Sequence, residues 1–146
     1  MLCVNGYPHD YIDGCRSRIA SQLAAYRALI TAAGATRGVN SSALASAVDS
    51  FEPLLFSHLV LVLDGFFFHR SRTLEGKDGN PANEVRVLCN SVLQNGGVMI
   101  ADKTIKLNPA KSVLKLQVGD KIALTEADFA RLSKAYFAEI KSRFGK

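Results

Sequence analysis

The chain has 146 residues, a net charge of +5, 48% hydrophobic and 21% charged residues, which fits one ordinary domain spanning 1–146 and excludes a disordered chain. Three cysteines (Cys3, Cys15, Cys89) form an odd set with no CxxC and no histidine at zinc spacing, so the chain reads as a reduced, cytoplasmic protein with small buried thiols. The charge is one-sided: residues 1–102 hold 8 Lys+Arg against 9 Asp+Glu, residues 103–146 hold 10 against 4, and a basic last third of that kind is suited either to solubility or to non-specific contact with a polyanion.

The opening MLCVNGYPHD has neither a basic start nor an apolar stretch of signal-peptide length, so no leader is expected. The first helix is predicted from Asp10 to about Ala33. Ile12, Cys15, Ile19, Leu23, Tyr26 and Ile30 fall at steps of three and four, the spacing of one helical stripe. Asp10 is a suitable N-cap, and Gly34 should end the helix before a loop over Ala33–Ser42. Ser41 or Ser42 then caps a short helix over ALASAVDSF, stopping near Ser50–Phe51 ahead of Pro53.

From Pro53 to about Leu74 a second long helix is expected, with Pro53 in its first turn. Its stretch LLFSHLVLVLDGFFF (Leu54–Phe68) is 15 residues long, short of the roughly 20 needed to span a bilayer. It reads as a core helix, packed on every side by neighbours or by a second subunit, and no membrane span is expected. GKDGNP (Gly76–Pro81) is a turn with Gly76 ending the preceding helix. Asn80 and Pro81 are N-cap and first residue of a helix over Pro81–Gln94, closed by Asn95-Gly96-Gly97, so the two helices form an antiparallel hairpin. Local alternation between Val98 and Leu124 favours one or two short β-hairpins, the competitor being a short helix from Asn108-Pro109. Thr125 and Asp128 resemble a capping box for the last helix, in which Phe129, Leu132, Tyr136, Ile140 and Phe144 share a face and Glu139 can pair with Arg143. The fold class is therefore mainly α: an antiparallel helical bundle with a small β-hairpin-like insertion before the C-terminal helix.

The apolar run leads directly into a polar block, HRSRTLEGKDGNPANEVR (His69–Arg86), where candidate chemistry concentrates. His69, Arg70, Arg72, Lys77, Asn80 and Arg86 surround the N-terminus of a helix, whose free N–H groups favour anions. They are the candidate ligand-binding residues for a small anionic or phosphorylated molecule. Glu75, Asp78 and Glu84 lie among the same cations, and the favoured reading is an ion-pair latch. GKDGNP lacks the phosphate-loop pattern and follows a helix. DGNPANE lacks calcium-loop spacing. His58 and His69 sit about 16 Å apart along one helix, too far to share a metal. Asp64 interrupts the apolar run and should pair with an arginine or lie on a wet edge, a role as general acid or base being the weaker alternative. No nucleophile motif is present, Cys89 falls on a buried face, and aromatic residues for base stacking are missing from 98–124. The expectation is a non-enzymatic interaction module that self-associates as a dimer, without cofactor or metal. The alternative is the anion-binding module at 69–86.

Overall fold

The computed structural model describes residues 3–146, among which five helices pack against one another: α1 (His9–Ala35), α2 (Ser41–Phe66), α3 (Arg72–Glu75), α4 (Pro81–Gln94) and α5 (Glu126–Phe144). The mainly α expectation stands. The stripe of α1 is buried from Ile12 to Tyr26. Its cap differs from expectation: Pro8 stands at N-cap, and the Asp10 carboxylate instead accepts the adjacent Tyr11 N–H at 2.8 Å. The entry to α1 is set from outside the helix, because the Tyr7 N–H donates to the Phe144 carbonyl at 2.7 Å and the Lys146 N–H to the Tyr7 carbonyl at 3.1 Å.

The expected break at Pro53 is absent. One helix runs through it for 26 residues, with Asn40 as N-cap accepting the Ala43 N–H at 2.9 Å. Proline's fixed φ is compatible with helix; what it removes is one donor to the previous turn and some room beside it, a local cost that flanking turns can absorb. Phe56, Val60 and Leu63 are buried on its inner side and hold both halves in line. α2 also stops earlier than Leu74. The His69 carbonyl accepts the Val4 N–H at 2.8 Å and the Ser71 N–H donates to the Val4 carbonyl at 2.9 Å, so the backbone of 69–71 pairs with an extended segment. His58 lies on α2 and His69 beyond its end, so they share no helix face.

α4 lies antiparallel to α2, its Cys89 thiol 3.5 Å from the Val60 carbonyl. The inner faces of α2, α4 and α5 meet around Phe56, Leu63, Leu88, Phe129, Leu132 and Tyr136, all fully buried. α5 starts with the capping box at Thr125 and Asp128 and packs on α1, where Lys141 pairs with Asp13 at 3.2 Å.

The β-hairpin between Val98 and Leu124 is not found. Among the described residues no strand forms, and only an isolated antiparallel bridge joins Val98 to Lys121. Three backbone bonds join the ends of the segment, from the Met99 N–H to the Asp120 carbonyl, the Gly119 N–H to the Met99 carbonyl and the Ile122 N–H to the Gly97 carbonyl, but the donors between them are claimed elsewhere, which leaves too few for a ladder. The Asp102 carboxylate accepts the Thr104 and Ile105 N–H groups, the Asn108 carbonyl accepts those of Lys111 and Ser112, and the Lys106 N–H donates to the Lys77 carbonyl at 2.9 Å. That last contact needs Gly79, whose φ is +85° and whose Cβ, had it one, would lie 2.4 Å from the Lys106 carbonyl oxygen.

Pro53→Ala restores a backbone donor inside α2. It is expected to raise stability by about 1–2 kcal/mol, read as a higher urea midpoint at unchanged slope.

Candidate functional site

The polar block folds around one carboxylate. Glu75, fully buried, ends the single turn of α3, whose Ser71 cap accepts the Leu74 N–H at 3.4 Å. Arg70 reaches it from the α2–α3 turn, with Nε 2.7 Å from Glu75 Oε1 and Nη1 2.7 Å from Asp64 Oδ1. Arg70 also donates to the Phe67 carbonyl at 3.1 Å and the Ala82 carbonyl at 3.4 Å, and its guanidinium carbon sits 5.7 Å above the Tyr136 ring. From α4, Arg86 Nε lies 2.9 Å from Glu75 Oε2 and its Nη2 3.2 Å from Oε1. Both carboxylate oxygens of Glu75 are thus engaged by fork-like charged donors, the strongest class of hydrogen bond.

Burial opposes the charge on Arg70, but the neighbouring Tyr136, Asp64 and Glu75 outweigh it and hold its pKa above the ordinary arginine value. Burial raises the Tyr136 hydroxyl well above its usual range, and among the described residues that hydroxyl has no hydrogen-bond partner. Burial, then the charge of Asp64, pushes the Cys89 thiol up to about 12, which makes it a poor nucleophile at neutral pH.

Of the residues singled out in the sequence, the fold brings Arg70 and Arg86 together on the Glu75 carboxylate, with Arg72 at its exposed edge and Asn80 on its carbonyl, and leaves His69 and Lys77 outside. Arg72 is half exposed, its Nε 3.5 Å from Glu75 Oε2. His69 is exposed, edge-on to Phe68, and Lys77 is exposed, contributing its carbonyl to the contact with Lys106. Asn80 is buried as the N-cap of α4: its Oδ1 accepts the Ala82 and Asn83 N–H groups, and its amide donates to the Glu75 carbonyl at 2.7 Å. The helix N-terminus that was a possible anion seat is therefore occupied by its own cap. Asp78 turns outward to Arg143 of α5 at 3.3 Å, a partner too distant in sequence to be anticipated. Glu84 leaves the cluster altogether. Its two oxygens accept the Val113 and Leu114 N–H groups at 2.8 and 2.9 Å, and burial raises its pKa despite those bonds.

A second feature was hidden inside the apolar run. Leu54–Phe68 is not covered on every side: Leu54 is 66% and Phe68 65% exposed, and 22% of the most apolar 18-residue window of α2 is buried. By length and composition α2 is long and apolar enough to cross a membrane, so the 15-residue count from the sequence understated it. Its outward face carries Ala47, Phe51, Leu54, His58 and Gly65, with Leu61 at the edge of the stripe partly buried against the core, at steps of four, three, four, three and four. Steps of three and four keep these residues on one side of the helix. The signal was legible, but an assumed break at Pro53 divided it. Beside Leu54 and His58 a groove of about 520 Å³ opens toward Val92 of α4 and Lys121–Ala123.

Comparison with protein-family models, with curated proteins and with solved structures finds no match for this chain.

Glu75→Gln leaves Arg70 buried with one partner carboxylate fewer and is expected to cost about 3–5 kcal/mol, whereas Arg72→Ala at the exposed edge should cost under about 1 kcal/mol. Paired urea melts measure both. The raised pKa of Glu84 means that the folded chain takes up a proton there more readily than the unfolded chain, so this residue contributes stability as pH falls toward its ordinary value and loses it as pH rises. Wild type should therefore gain on Glu84→Gln as pH drops from neutral toward the ordinary glutamate value, in denaturant melts across a pH series.

Proposed function

We propose that this protein is an interaction module that acts by self-association through the outward face of α2, not by chemistry at the polar block. The observation that carries the reading is the uncharged stripe from Ala47 to Gly65, with Leu54 66% and Phe51 47% exposed. Large apolar side chains lined up on one exposed helix face mark a surface that is covered in use. Three further apolar side chains are exposed, Val62 on α2, Phe68 just beyond its end and Leu93 on α4. Arginines 70 and 86, which an anionic ligand would need, already serve Glu75, so the anion-binding reading has less support.

A second copy suits this face better than a lipid surface. The 26 residues of α2 contain no Lys or Arg, and its charges are Asp49, Glu52 and Asp64. Helices that lie on anionic membranes carry the opposite pattern, a polar face rich in basic residues.

Light scattering from low micromolar to high micromolar concentration should show a dimer that dissociates on dilution. Leu54→Glu should shift that equilibrium to monomer while leaving the circular dichroism spectrum unchanged, since the side chain it replaces is exposed. A wild-type chain that stays monomeric throughout, or one that stays monomeric and floats with liposomes, overturns the reading. So does a Leu54→Glu chain that dimerises as before.

A further inference from the structure

We infer that the groove between α1 and α5 is a binding site for a single-chain amphipathic anion, a medium-chain carboxylate such as decanoate. The two helices run antiparallel, pinned near one end by Asp13 and Lys141 at 3.2 Å and near the other by Arg27 and Glu126. Between those pairs the register sets Arg16 beside Ala138 and Ala20 beside Lys134. A long cation thus stands opposite an alanine twice, on alternate walls, and each alanine leaves room that a larger side chain would fill. The space is about 290 Å³, close to the roughly 300 Å³ at which small-molecule pockets begin.

The lining has two parts. Ile12, Ile19 and Leu23 of α1 and Phe137 of α5 form an apolar floor, each at most 8% exposed. From Asp13 to Leu23 the groove runs about 15 Å at the helical rise, a shape for an extended chain and not for a compact ring. The rim is charged, with Arg16, Lys134 and Lys141 against Asp13 alone. Asp13 is shared by Arg16 at 3.3 Å and Lys141 at 3.2 Å, and Lys134 joins no ion pair among the described residues. Two positive charges are therefore left over at the mouth of an apolar trough.

Ion pairs as exposed as these are worth little, so Arg16 or Lys141 can turn from Asp13 to an arriving anion at small cost. Long cationic side chains lay their stems along apolar surface and keep their heads in water, which lets this rim cover a chain while holding its head group. Burial of the chain supplies the affinity, and the surplus charge selects the sign of the head. The polar block, where the sequence points to an anion, has already spent Arg70 and Arg86 on Glu75; the basic last third of the chain supplies Lys134 and Lys141 here instead. No residue of α2 lines this groove, so the site is independent of the self-association reading.

Isothermal titration of the full chain with decanoate, kept below micelle formation, should show one saturable site. Decanol, with the same chain and no charge, should bind about tenfold more weakly, the worth of one charged hydrogen bond, and acetate should give no saturable signal. Lys134→Glu should weaken decanoate by about tenfold and leave decanol unchanged. Ala138→Leu, which fills the groove, should abolish binding of both, while Leu54→Glu on the exposed face of α2 should change neither. Both Lys134 and Ala138 are exposed, and urea melts matching wild type confirm that the variants fold; should Ala138→Leu not fold, Lys134→Glu still decides. Decanoate that does not saturate, decanol that binds as tightly as decanoate, or undiminished binding by either groove variant overturns the site. So does loss of decanoate binding in Leu54→Glu, which would assign it to α2.

Discussion

A single buried carboxylate, Glu75, decides how the polar half of this molecule is built. Placing it in the interior costs several kcal/mol of lost hydration, and that cost is offset only if cations arrive from both sides with good geometry. Arg70 comes from the turn after α2 and Arg86 from α4. Because Arg70 also holds Asp64 and the carbonyls of Phe67 and Ala82, the end of α2, the short α3 and the start of α4 are all referred to one guanidinium. Tyr136 lays its ring against the same group and so orients α5. The apolar core fixes how closely the helices approach, and this cluster fixes their rotation and register.

The segment between α4 and α5 follows a different logic. Its ends share three backbone bonds between 97–99 and 119–122 but form no strand, and the groups between them are satisfied piecemeal by Asp102, Asn108, Lys77 and Glu84. Glu84 has the largest part, since one buried side chain from α4 holds two consecutive amides. The segment is ordered by side chains that belong partly to other elements, so short-range pattern alone points to the wrong conformation.

What was legible in the sequence follows the range of the forces involved. The bounds of α4 and the capping box of α5 rest on local rules at Asn80, Pro81, Thr125 and Asp128, and the fold obeys them. The stripe of α1 was legible for the same reason. Pro53 misled because a penalty of a few kcal/mol for proline inside a helix is smaller than the packing that keeps α2 whole. The hairpin failed because the competitors for its backbone donors, above all Glu84, lie far away in sequence. In the polar block the ion-pair latch was foreseeable from composition, but the choice of Glu75 as its centre was not; Asp78 is drawn to Arg143 and the likewise buried Glu84 to the Val113 and Leu114 amides, all partners distant in sequence. The apolar stripe on α2 was legible in its spacing and became visible as one largely exposed face only once the helix was known to be continuous.

The ion cluster has a kinetic side as well. Its bonds join residues 6 and 11 positions apart, whereas the link between α1 and α5 through Asp13 and Lys141 spans 128. Closing the shorter loop costs about 2 kcal/mol less chain entropy than closing the longer one. The unit from Asp64 to Arg86 can therefore form early and present a preset surface, onto which the two ends of the chain dock later.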